Sequence, residues 1–117
     1  MAVSGDIVKM FHQVKIRDAD GSALCFLWRE PGITEPTADY QMQVQIFGAI
    51  SSPTVCAYAL RQAASDDAEF DEAALDQVVN HFYVDNWLSS FQTVDEAKDA
   101  AKMLTGVLVR EGFELAQ

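Results

Sequence analysis

Asp6 and Asp85 stand apart from the other acids of this chain because each borders an apolar, strand-like segment, IVKMF after Asp6 and FYV before Asp85. Carboxylates carried on adjacent central strands would offer hard oxygen ligands to Mg²⁺ or Mn²⁺ and leave positions open for substrate phosphates. A pair of such ions could activate a hydroxyl and steady a leaving pyrophosphate. The plainer reading is turn chemistry, since Asp ahead of a strand and Asp-Asn in a tight turn both serve local backbone geometry. Six other acids, Asp66, Asp67, Glu69, Asp71, Glu72 and Asp76, lie within eleven positions, a run that reads as solvated loop and helix start. His12 and His81 have no metal-ligand spacing to each other or to cysteine and read as structural. Cys25 and Cys56 form no C-x-x-C pair, so two buried, reduced thiols are expected.

The elements that must hold these residues follow from periodicity and punctuation. Asp6 to Val14 mixes apolar and polar positions as a first strand, and Ala23 to Trp28 (ALCFLW) is a continuous apolar run that suits a strand buried on both faces. Pro31, Gly32 and Pro36 mark a loop over Glu30 to Asp39. Tyr40 to Phe47 (YQMQVQIF) alternates at period 2, which predicts a strand presenting Gln41, Gln43 and Gln45 on a polar face. Ser52-Pro53 predicts a helix start, with Ser52 as cap and Val55, Cys56, Ala59, Leu60 and Ala63 on the buried face to about Ser65. A helix over Glu72 to Val79 precedes a hairpin centred on Asp85-Asn86. Thr93 and Glu96 form a capping box for a last helix with Ala97, Ala100, Ala101, Leu104 and Leu108 in its stripe, ending before Gly112. A short strand, Phe113 to Leu115, closes the order. Trp28 and Trp87 are expected to pack against the body. The layout is α+β, one domain over 1–117, with helices on one face of a mainly antiparallel sheet.

Composition bounds the function. With 117 residues, half of them hydrophobic, the chain can build one core. Its 18 acids against 8 bases give a formal charge of −10, which excludes long-range attraction to a phosphate backbone and predicts weak nucleic-acid binding. The start, MAVSGDIVKMF, lacks a basic region followed by a long apolar stretch, and no run approaches the roughly 20 apolar residues of a membrane span. A soluble, intracellular protein is expected.

Four segments, DIVKMFHQV, QIFGAISSP, FYVDNW and REGFEL, resemble in order and separation the palm motifs of reverse transcriptases, in the style of BEL/Pao-type LTR retrotransposons. The resemblance covers nearly the whole chain and implies a polymerase palm core without fingers or thumb. It implies RNA-directed DNA polymerase chemistry, two-metal nucleotidyl transfer to a primer 3′-hydroxyl, with Mg²⁺ or Mn²⁺ as cofactor. Asp6 matches the first metal-binding aspartate and the Ile7 carbonyl a further ligand. Phe11 matches the aromatic gate that excludes a ribose 2′-hydroxyl. Phe47 and Gly48 match residues beside the incoming nucleotide, and Ser52 and Pro53 begin the helix beneath the template. Tyr83, Val84 and Asp85 match the hairpin that carries the second aspartate and touches the primer. Asn86 departs from the pattern, standing where the family usually has another Asp. That change removes a charge and implies impaired catalysis.

The implied partners are template-primer and dNTP in the full enzyme, with protease, RNase H and integrase as neighbouring polyprotein domains. The implied location is the cytoplasm or virus-like particles, with no membrane association. A non-catalytic transposon remnant and a small α+β binding or dimerisation module are the competing readings. Without fingers and thumb, the palm faces that normally pack against them would be exposed and would promote association.

Overall fold

The capping box forms as the sequence requires. Thr93 Oγ1 accepts from the Glu96 amide, and the Glu96 carboxylate accepts from the amides of Gln92 and Thr93. In the computed structural model, which describes residues 1–67 and 69–116, this box opens helix α4 (Val94–Arg110). The helix closes with amides of Gly112 and Phe113 bonded back to Val109 and Leu108, a Schellman arrangement that needs the left-handed backbone of Gly112, φ 83°. Ala97, Ala101, Leu104 and Leu108 lie on its buried stripe, with Val107.

The other elements are β1 (Ala2–Ile7), α1 (Met10–Gln13), a 3₁₀ segment (Asp18–Leu24), β2 (Cys25–Trp28), β3 (Ala38–Gln41), α2 (Ser52–Asp66), α3 (Glu72–Asn80), β4 (Phe82–Tyr83), β5 (Asn86–Ser90) and β6 (Leu115–Ala116). The fold is mixed α+β. An antiparallel sheet in the order β4-β5-β1-β6 forms one layer, and β2 and β3 form a separate two-stranded ribbon.

Burial alternates along the central strands at the period of the pleat. Gly5, Ile7, Trp87, Ser89 and Leu115 are buried, whereas Ser4, Asp6, Asn86, Leu88 and Ser90 are exposed. The buried face shares one cluster with Cys56 and Leu60 of α2, Val78 of α3 and Leu104 and Leu108 of α4. Helices therefore cover one face and leave the other open. Trp87 is fully buried, and its indole N–H donates to Gln77 Oε1 of α3 at 3.0 Å.

Several expectations are corrected. The first strand is Ala2–Ile7 rather than 6–14; Lys9 turns the chain at φ 51° into α1. Ala23 and Leu24 belong to the 3₁₀ segment, and Cys25–Trp28, expected to be buried on both faces, is exposed throughout. Cys25 is consequently exposed, and Trp28 packs edge-on to Tyr40 instead of against the body. The extended run after Tyr40 changes partners: Met42 bonds to Leu24, then Gln43 and Gln45 bond to Ile16 and Val14. The strand thus stops at Gln41, and Gln45 is buried while Gln41 and Gln43 stay exposed.

Helix α2 is capped one residue earlier than expected, at Ser51, without a side-chain cap. Ser52 is drawn inward, where its hydroxyl donates to Gln45 Oε1 at 3.2 Å. That rotation leaves Val55 exposed and buries Ala64. The acidic run does start a helix, with Asp71 accepting from the Ala74 amide.

The molecule measures 60 × 29 × 24 Å, and its Cα radius of gyration of 17.7 Å exceeds the roughly 13 Å of a compact chain this long. An element standing off the core accounts for such a shape, and the ribbon, packed mainly on the 3₁₀ segment, is that element.

Candidate functional site

The end of the sheet where β1 finishes gathers most of the residues singled out by sequence. β1 pairs with β5 so that Asp6 stands opposite Asn86, and Tyr83 stands opposite Asn86 on the other side. Tyr83, Asn86, Asp6 and Ala116 form one cross-strand row on the open face, all exposed. The Ile7 amide donates to the Asp85 carbonyl at 2.9 Å, which ties the hairpin tip to the end of β1.

The hydrogen-bond phase adds a finer statement. Met1 and Phe91 exchange two backbone bonds, and Ile7 bonds to Asp85, so the hydrogen-bonded pairs of β1 fall at odd positions. Asp6 and Asn86 therefore form a non-hydrogen-bonded pair, the kind whose Cβ atoms approach to about 4.5–5.5 Å. Asn86 Nδ2 donates to Asp85 Oδ1 at 3.3 Å. Among the described residues, neither Asp6 nor Asp85 forms an ion pair with a basic side chain.

The hairpin turn is shifted by one residue from the expected Asp85-Asn86 centre. Tyr83 pairs with Asn86, so Val84 and Asp85 form the two-residue loop. Val84 has φ 57°, a conformation that type II′ turns ordinarily give to glycine and that strains a β-branched residue. Lys9, in the turn after β1 at the same end of the sheet, is the other non-glycine residue with positive φ among those described.

Phe11, half-buried on α1, meets Phe47 edge-on with centroids 4.8 Å apart, and Phe47 itself is 64% exposed. His12 also lies edge-on to Phe47. Gly48 adopts φ 86° and would have open space around a Cβ, so backbone conformation is what its glycine serves in the protein alone. Pro53 sits in the first turn of α2, beside buried Ser52. His81 lies 3.6 Å from Asp76.

Gln77 and Trp87 are residues that the sequence reading missed as a pair. Trp87 directly follows Asn86, and only the packing of α3 on β5 reveals that Gln77 holds its indole. Glu114 was missed as well. Its carbonyl accepts from the Val8 amide, which brings this acid to the same end of the sheet.

As a donor set, the carboxylates of Asp6 and Asp85 and the amide oxygen of Asn86 suit one hard cation whose other positions water or phosphate would fill. They fall short of two ions. Among the described residues no three acids, histidines or cysteines lie close enough together to hold a metal. Burial pushes the Cys56 thiol up to about 11, which keeps it protonated at neutral pH. No helix among the described residues is long and apolar enough to cross a membrane. No protein-family model matches the chain, and a search of the curated proteins finds no match.

Proposed function

We propose that this chain is the palm core of a BEL/Pao-type reverse transcriptase, impaired for RNA-directed DNA synthesis by Asn86. The observation that carries the reading is the pairing of β1 with the β4–β5 hairpin. It sets Asn86 opposite Asp6 on an open sheet face, with Asp85 in the adjoining turn, although sequence separates them widely from Asp6. Strained backbone at Val84 and Lys9, both at that end, adds support because such strain concentrates at functional sites.

In this reading Asp6 and Asp85, with the Ile7 carbonyl, hold Mg²⁺ or Mn²⁺. When bound, the cation supplies Lewis-acid stabilisation of a phosphoryl oxygen. Tyr83 and Val84 touch the primer terminus, Phe47 and Gly48 border the incoming dNTP, and Ser52 and Pro53 begin the helix beneath the template. Phe11 acts as the gate against a 2′-hydroxyl, its edge contact with Phe47 fixing the ring. Basic groups that grip template-primer belong to other parts of the enzyme, in keeping with the −10 charge here. Protease, RNase H and integrase would be its polyprotein neighbours, in the cytoplasm or virus-like particles.

Amide NMR spectra with substoichiometric Mn²⁺ test the site. Selective broadening around Asp6 and Asp85 is expected; broadening only along the Asp66–Asp76 acids would sink the reading. In a complete fingers-palm-thumb protein, Asn86→Asp should raise primer extension by at least about tenfold, the scale of a lost charged group near a reacting phosphate.

A further inference from the structure

Asn86 does more at this site than lack a charge. Its side chain faces Asp6 across a close, non-hydrogen-bonded strand pair and donates to Asp85 at 3.3 Å. No Lys, Arg or His among the described residues pairs with either acid, Lys9 in the neighbouring turn included, so the side-chain hydrogen bond given to Asp85 comes from the Asn86 amide. A carboxylate at position 86 would set two like charges directly opposite one another, next to a third, in a chain already carrying −10. Like charges facing each other across a strand pair destabilise the sheet.

We propose that the Asn86 carboxamide stands in for a divalent cation, sparing the Asp6–Asp85 end of the sheet the like-charge repulsion that a carboxylate would meet there without metal. The cation half of this statement rests on the palm reading above; the charge-relief half does not. It follows that the unsubstituted protein folds independently of metal and takes at most one ion, whereas an acid at position 86 makes stability depend on a cation. Binding that favours the folded state raises its stability by mass action, so the dependence can be read from thermal unfolding.

The test compares the unsubstituted chain, Asn86→Asp and Asn86→Ala in chelator-treated, low-salt buffer. Millimolar MgCl₂ is then added, with NaCl of equal ionic strength as the control for screening. The unsubstituted protein should shift by less than about 1 °C between the two salts. Asn86→Asp should melt about 2–5 °C lower before addition, the Tm equivalent of one close like-charge pair, and Mg²⁺ should restore it where NaCl does so only in part. Asn86→Ala, which loses the amide without adding charge, should fall less than Asn86→Asp.

An Asn86→Asp protein as stable as its parent without metal would overturn the proposal, as would an equal loss in Asn86→Ala. Recovery by NaCl as complete as by Mg²⁺ would overturn the cation half. Mn²⁺ broadening, measured separately, judges the palm reading, so a metal-free loss in Asn86→Asp without broadening at Asp6 would retain charge relief and discard the polymerase site.

Discussion

The four-stranded sheet and the β2–β3 ribbon are both antiparallel, and each carries a tryptophan in an aromatic strand. Trp87 of the sheet is 0% exposed and hydrogen-bonded to Gln77, while Trp28 of the ribbon is 47% exposed and touches mainly Tyr40. The difference lies in what covers each strand. Helices α2, α3 and α4 converge on one face of the sheet, and among the described residues nothing comparable covers the ribbon. Strand composition alone therefore does not tell a core strand from a projecting one; the supply of covering elements does.

The largest effect that would sharpen this contrast comes from truncating the two tryptophans. Trp87→Ala should cost about 3–5 kcal/mol in urea unfolding, as a fully buried aromatic does, against less than about 0.5 kcal/mol for Trp28→Ala. Equal losses would mean that the ribbon belongs to the core. Gln77→Leu should cost about 1–3 kcal/mol by leaving a buried indole N–H without a partner, and the Trp87 indole proton should shift in the NMR spectrum. An unchanged indole resonance would show that the contact does not persist in solution.

Thr93→Ala removes the cap of α4 and should cost about 1 kcal/mol, read from the same urea transitions. The smallest stability effect belongs to Phe26→Ser with Trp28→Ser in the ribbon, within about 0.5 kcal/mol. Their signature is instead a loss of concentration-dependent association in sedimentation experiments, because exposed apolar surface favours self-contact. Association that survives both substitutions would move its source to the open sheet face, where Leu88 is 63% exposed.

Local signals were read well because their physics is local. Thr93 and Glu96 specify a capping box within one helical turn, and the acidic run does contain a helix start, although its cap, Asp71, was not singled out. The hairpin was legible too, although its centre was not: cross-strand pairing puts the left-handed residue at Val84, where no turn propensity would select valine. For the site, sequence marked Asp6, Asp85 and Asn86 but could not supply the hydrogen-bond phase that makes Asp6 and Asn86 close neighbours.

By itself, the sequence determined the three longer helices, the capping box of the last one, the mixed α+β class, the acidic balance and the two acids bordering apolar segments. Tertiary structure alone decided which apolar strands are buried, that the 40–47 run divides its bonds between the ribbon and the body, and that Ser52 and Gln45 satisfy each other in the interior. It also decided that one face of the sheet stays open above Asp6. The physical reason is common to all of these: caps and periodicity are set by neighbours within a few residues, whereas burial and register depend on which distant element arrives to complete the contact.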